Sequence, residues 1–125
     1  MEKDTIIKLN KRFEEYAYEQ DGIEYWLARE LQELLEYTQW RNFENVIAKA
    51  KTACEKSGNA ISDHFADASK KVQLGSGAIK EVPDFMLTRY ACYLIAQNGD
   101  PKKEQIAFAQ SYFAIQTRKQ ELLEE

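Results

Sequence analysis

Three features of this sequence predict an α+β domain, mainly helical, with one or two short β-hairpins. Apolar residues recur at helical spacing in several long stretches, most clearly from Trp40 to Lys56 and again from Asp84 to the C-terminus. Two sharp turn signals, Asp21-Gly22 and Gly75-Ser76-Gly77, interrupt that pattern between short alternating segments. Near the end, Asn98-Gly99-Asp100-Pro101 joins two helices through a fully punctuated corner, with residues suited to a helix end followed by an N-cap oxygen and a first-turn proline.

In chain order, Ile6, Ile7, Leu9, Phe13 and Tyr16 are compatible with a first helix from Thr5 to Tyr16. Alternation from Phe13 to Glu19 would let it hand over early to a strand. Asp21-Gly22 then closes a short hairpin whose second arm alternates at Ile23, Tyr25 and Leu27. From Trp26 to Tyr37, the residues Leu27, Leu31, Leu34 and Leu35 share one helix face. After the polar break Thr38-Gln39, a helix from Trp40 to Lys56 turns Phe43, Val46, Ile47 and Ala50 inward and Arg41, Lys49 and Lys51 outward, until Ser57-Gly58-Asn59 ends it. These two helices form a helix-turn-helix-like pair in the first half of the chain, a pattern any α-hairpin shares.

Ile61 to Ala68 reads as a short helix or turn. Lys71–Leu74 and Ala78–Val82 read as a second hairpin with a glycine-rich tip, closed by Pro83. The helix from Asp84 to Asn98 carries one charge after its opening cap, Arg89, and is apolar around most of its circumference, so it is the expected central buried helix. A long helix from Pro101 to about Leu123 follows, with Asp100 as its expected cap and Gly99 expected at positive φ.

The 125 residues, 44% of them apolar, are expected to form a single domain, 1–125. No apolar run approaches the roughly 18 residues of a membrane span, and the opening MEKDTIIKLNKRF lacks a signal-peptide core. A cytoplasmic protein with no membrane partner is expected. Cys54 and Cys92 lie within helical patterns and read as packed thiols. The net charge of −4 conceals an asymmetry: residues 38–80 hold seven Lys/Arg against four Asp/Glu, while residues 1–37 hold five against ten. A basic strip on an acidic body is compatible with phosphate contact by one face, and also with an ordinary solvated surface.

Enzyme signatures are not visible, and no cofactor or metal is expected. His64 beside Asp63 has no second nitrogen or thiolate at ligand spacing and reads as a helix-cap or surface histidine. Gly75-Ser76-Gly77 lacks the ending of a nucleotide-binding loop. Arg41, Lys49, Lys51, Lys70, Lys71 and Lys80 are the candidate nucleic-acid-binding residues. The hairpin lysines among them equally suit an edge strand that must not pair with another chain. The last helix carries two apolar stripes, Ile106, Ala109 and Phe113, and then Phe108, Tyr112 and Ile115. One core takes one stripe, so Phe108, Tyr112 and Ile115 are expected at the interface of a homodimer or against a further part of a longer protein.

The runs RYACYL (Arg89–Leu94), QNGDP (Gln97–Pro101) and YFAIQTR (Tyr112–Arg118) resemble the bacterial DNA-damage-inducible protein D family. Trp26, Ala28-Arg29, Leu34-Leu35, Tyr37, Arg41, Phe43, the run from Ala48 to Glu55 and Asp63-His64-Phe65 extend the resemblance over most of the chain. The family's N-terminal half is in turn similar to the BRO-type N-terminal domain of viral and phage proteins, and this chain looks like that half of a longer protein. Where the family pattern usually has glycine, this chain has Glu36, which puts a side chain at the left-handed helix end that such a glycine would suit.

The resemblance implies a non-enzymatic DNA-damage (SOS) response domain that modulates recombination or repair by binding DNA, a recombination or repair protein, or both. Two alternatives are a DNA-binding transcription regulator or phage-antirepressor-like module, with Trp40 to Lys56 as recognition helix, and a dimerisation domain whose activity lies in a C-terminal half.

Overall fold

The computed structural model describes residues 11–124. It opens with helical residues 11–15 (α1), which end in a turn at Tyr16; residues 5–10 of the expected first helix lie outside the described residues. Then come β1 (Tyr18–Gln20), β2 (Ile23–Leu27), α2 (Ala28–Leu34), α3 (Trp40–Lys56), α4 (Ile61–His64), β3 (Phe65–Gln73), β4 (Ile79–Leu87), α5 (Arg89–Asn98) and α6 (Glu104–Glu124). The four strands form one antiparallel sheet in the order β1-β2-β4-β3. The molecule is α+β, but the expectation of a mainly helical domain decorated by one or two small hairpins is corrected. The two hairpins exist, and they are joined edge to edge through the rungs Trp26↔Leu87 and Leu27↔Met86.

The error came from the length of the second hairpin. Its strands run nine residues each, from Phe65↔Leu87 to Gln73↔Ile79, so β3 begins where a helix was expected to continue to Ala68, and β4 takes Asp84–Leu87 from the expected central helix. Pro83, read as a stop, sits inside β4 opposite Ser69. Leu74 N–H bonds to Ala78 O at 2.8 Å, and bonded rungs alternate from there, so Ser69↔Pro83 falls between them and the proline nitrogen faces away from β3. On that side β2 has already ended. A missing N–H therefore costs no ladder bond. The Pro83 carbonyl on this free edge accepts from Arg29 Nε at 2.8 Å.

Asp84 does cap a helix, but not the one that follows it. It is buried, and one carboxylate oxygen accepts from Arg29 N at 3.0 Å and Phe85 N at 2.8 Å. The N-cap position of α2 is Leu27, which has no side-chain oxygen. Asp84 supplies that oxygen from across the sheet. The cap of α5 is Thr88, whose hydroxyl accepts from Ala91 N at 3.1 Å and shares a 2.7 Å hydrogen bond with His64 Nδ1. The sole histidine thus steadies a helix start, in keeping with the cap reading.

The core lies on one face of the sheet. Trp26 is 1% exposed, stacks on Phe13 with ring centroids 4.5 Å apart, and donates from its indole N–H to Phe13 O at 2.8 Å. Alternation in β2 places Ile23, Tyr25 and Leu27 on one face; Trp26, on the other, is the buried residue. α5 buries Ala91, Cys92, Leu94, Ile95 and Ala96, which confirms it as the central helix in shortened form. Arg89, its first residue, gathers the surrounding segments. Its guanidinium pairs with Glu14 of α1 at 2.7 Å and Glu24 of β2 at 2.9 Å, and lies over the Trp26 ring. The Tyr112 hydroxyl of α6 donates to the same Glu14 carboxylate.

Two helix ends test the glycine logic. At the end of α2, Tyr37 N bonds to Gln32 O and Glu36 N to Glu33 O, the paired bonds of a left-handed helix terminus, with Glu36 at φ +59. Gly99, by contrast, has φ −80, which corrects the expected positive value. Its requirement is steric: a Cβ there would stand 2.6 Å from Ile106 Cδ1, and Ile106 is fully buried. The corner also runs longer than expected, since Asp100 accepts from Lys102 N at 2.9 Å but α6 starts only at Glu104.

Glu36→Gly should raise stability by about 1 kcal/mol in denaturant unfolding, because it relieves a left-handed side chain at the cost of some unfolded-state entropy. Gly99→Val should lower it by about 1–3 kcal/mol through overpacking against Ile106.

A pH prediction comes from the Arg89 cluster. The Glu14 carboxyl is held below its ordinary value, first by the Arg89 hydrogen bond, and Tyr112 is pushed up to about 12, first by burial and then by Glu14. For Glu14 the folded value is the lower one, so its contribution is present above the normal carboxylate range and is lost as pH falls through the folded value. For Tyr112 the folded value is the higher one, so its contribution is intact below about pH 10 and is lost towards pH 12. Thermal melts should fall on both sides; Tyr112→Phe should flatten the alkaline limb and weaken the acid limb less, because Arg89 is the first cause of the low Glu14 value. With the pairs partly exposed, Arg89→Ala should cost about 1–2 kcal/mol at neutral pH.

Candidate nucleic-acid interface

The helix pair is present, but it is not free to act as a probe. α2 and α3 are linked by five residues, and α3 buries Phe43, Val46, Ile47, Ala50 and Cys54. A recognition helix reads bases with its N-terminal residues. Here that end is built into the body: Trp40 stacks on Phe85 at 6.5 Å, and the Arg29 guanidinium covers the Trp40 ring at 4.0 Å. Lys51 continues the stack, with its ammonium 4.1 Å from the Phe85 ring centre. Lys49, two residues earlier, projects about 200° away around the helix axis. Arg41 and Lys49 are exposed, but so are Glu44 and Glu55. The basic strip expected from Arg41, Lys49 and Lys51 is therefore divided between a mixed-charge outer surface and a cation resting on an aromatic.

The hairpin lysines are better placed. Beyond the Met86 rung no third strand among the described residues flanks β3 and β4, so residues 68–73 and 79–84 form a two-stranded ribbon leaving the sheet. Lys70 faces Val82, and Lys80 faces Val72, one bonded rung further out, so both lysines project from one ribbon face. Lys71 projects from the other face, directly opposite Glu81. All three are exposed, as are the aliphatic residues Leu74 and Ile79 at the tip. Adjacent in sequence, Lys70 and Lys71 are on opposite sides; the spatial pair is Lys70 with Lys80. The register that creates this pair cannot be read from the lysines themselves.

The same ribbon face continues down the sheet into an open cleft of about 260 Å³ lined by Ile23, Tyr25, Ala66 and Met86 and rimmed by Asp21 and Asp63. Sequence reading missed this feature. The alternation at Ile23 and Tyr25 carried its signal, but it was read only as the arm of a hairpin.

The second stripe of α6 turns inward. Phe108 is 3% and Tyr112 6% exposed within the subunit, Tyr112 against Phe13 and Phe113; Ile115 alone is half-exposed. Phe108 and Tyr112 are thus removed as dimer-interface candidates. One core took both stripes because α1, α2 and α5 all border this helix. Cys54 and Cys92 are free and buried, and burial raises both thiols, which disfavours the reactive thiolate. Among the described residues, no three His, Cys, Asp or Glu side chains come together as metal ligands, and no helix is long and apolar enough to cross a membrane.

Residues 15–114, which take in the entire sheet, the ribbon, α2 to α5 and half of α6, match the N-terminal domain of the BRO family. The chain belongs to that family. It is 51% identical over 105 residues to DNA damage-inducible protein D of Escherichia coli (strain K12), an alignment covering 84% of this chain and 38% of that protein. No solved structure matches. The chain thus spans well under half the length of this relative, and what this BRO domain offers is a body of helices on one sheet face, with a lysine-bearing ribbon and an open cleft on the other.

Proposed function

We propose that this BRO domain is a cytoplasmic, non-enzymatic nucleic-acid-binding module of the DNA-damage (SOS) response, acting on recombination or repair, and that it contacts DNA through the β3–β4 ribbon. The observation that carries the reading is the ribbon itself, an unflanked arm with three lysines and one glutamate between Ser69 and Glu81. The major groove of duplex DNA, about 12 Å wide, admits a two-stranded ribbon. The six free residues of each strand reach about 20 Å at strand rise, enough to lie along the groove. Lysines on both faces would then meet phosphates on either side, a contact that positions without specifying sequence. The overall charge of −4 does not oppose this, because the acidic residues concentrate outside the ribbon. The damage-response assignment rests on the likeness to the named relative.

The test is a titration of duplex and single-stranded DNA at two salt concentrations. Lys70→Glu with Lys80→Glu should weaken duplex binding by more than about tenfold and lower the salt slope by about two, leaving the melting temperature unchanged. Arg41→Glu with Lys49→Glu should have a smaller effect. A folded ribbon variant that binds DNA like the wild type would remove the ribbon from this role.

A further inference from the structure

We propose that the open face of the sheet is a two-fold docking surface for a second copy of this chain. In an antiparallel sheet with one packed face, the other is ordinarily polar. Here the outer face carries Ile23, 66% exposed, with Tyr25, Leu27, Met86, Val82 and Val72 half-buried around it. The cleft of about 260 Å³ lies at the end of this face away from the ribbon, open and lined in part by Ile23, Tyr25, Ala66 and Met86. It suits a few apolar side chains.

Charge identifies what those side chains belong to. The cleft end is acidic: Asp21 and Asp63 rim it, Glu24 is engaged by Arg89, and no lysine or arginine lines it. The ribbon end of the same face is basic, with Lys70 and Lys80. These ends lie symmetrically about one rung. Asp21 is six residues before Leu27, which pairs with Met86, and Lys80 is six residues before Met86 in the antiparallel direction. On β3, Asp63 lies three residues before Ala66, the other partner of Met86, and Lys70 lies four residues after it.

A two-fold axis above the Met86 rung, parallel to the sheet and perpendicular to its strands, therefore sends each acidic end onto the partner's basic end. It also lays apolar centre on apolar centre. The surface is self-complementary in the sense an isologous dimer requires, and two such faces pack at about 10 Å in the manner of a sandwich. A nucleic acid would meet two carboxylates at the cleft end, whereas a second copy meets opposite charge at both ends. This interface is separate from the Phe108 and Tyr112 surface, which the subunit fills itself. Because it covers Lys70 and Lys80, pairing with a second copy and binding of DNA by the ribbon exclude one another.

The experiment is light scattering on the whole chain at low salt across the micromolar range, with two charge variants. Asp21→Lys with Asp63→Lys makes both ends basic; Lys70→Glu with Lys80→Glu makes both ends acidic. Wild type should show a concentration-dependent dimer, and each variant alone should associate at least about tenfold more weakly through like-charge repulsion. Mixed one to one, the two variants should recover wild-type association, because every end again meets its opposite. All four residues are exposed, and unchanged melting temperatures would confirm folding; recovery on mixing proves it independently. Ile23→Asp should weaken association without rescue by either charge variant. A monomeric wild type, a variant that still dimerises alone, or a mixture that stays monomeric would each overturn the proposal. The scattering measurement contains no DNA, so its result stands apart from the ribbon's DNA reading. The Asp21/Asp63 variant, which keeps Lys70 and Lys80, should bind duplex DNA at least as well as wild type.

Discussion

The Arg89 guanidinium is where four distant segments of the chain meet. Glu14 arrives from α1, Glu24 from β2 and the Tyr112 hydroxyl from α6, while Arg89 itself opens the central helix α5. Beneath the charge lies Trp26, the most enclosed large side chain of the sheet, stacked on Phe13. Each ion pair is partly exposed and individually modest. Their joint effect is geometric: a planar fork that satisfies two carboxylates at once permits only one placement of α1 and β2 around the N-terminus of α5. With β2 fixed by that fork, the two rungs that join it to β4 suffice to make one sheet from two hairpins.

That dependence explains why the sheet was harder to read from sequence than the helices. α3 announces itself by one-face apolar spacing and α5 by an apolar circumference, each over ten or more residues, and the Asp21-Gly22 hairpin forms as expected, with φ +53 and +80 at its two turn residues. Phe65–Ala68 and Asp84–Leu87 carry no such local mark. Asp-Phe-Met-Leu after a proline has the composition of a helix start, and only pairing with residues about twenty positions away makes it strand. Arg89 was visible as the single charge on an apolar helix, but its partners, 65 and 75 residues distant, were not.

Similar sequence signals proved to rest on different physics. Glycine at position 99 looked like a left-handed helix end and is instead a close approach to Ile106, whereas Glu36, which has no glycine signal, occupies a left-handed end. The first can be recognised only when the packing of α6 is known; the second was legible through the resemblance, where glycine is the usual residue. At Glu36 the paired helix-end hydrogen bonds and the Gln32 side chain, which donates to Tyr37 O at 2.9 Å, hold the strained backbone in place. At Gly99 the constraint instead comes from a fully buried side chain on the next helix. Strain is tolerated where it can be over-determined locally.

The candidate site was legible as a list and not as an arrangement. All six cations are at or near the surface, yet β-strand alternation separates Lys70 from Lys71, helix rotation separates Lys49 from Lys51, and hairpin register brings Lys70 to Lys80. The last of these matters most, because it sets the positive end of a face whose negative end comes from elements elsewhere in the chain, the β1–β2 turn and α4. A net charge of −4 averages this polarity away. Its consequence is mechanical as well as electrostatic. On the proposed reading the ribbon would present Lys70 and Lys80 to phosphate only while that face is free, whereas Lys71 projects from the opposite face. Under the two proposals, a face that is acidic at one end and basic at the other would tie self-association to DNA binding with no moving part, since the same two ammonium groups cannot neutralise a partner's aspartates and a phosphate backbone at once.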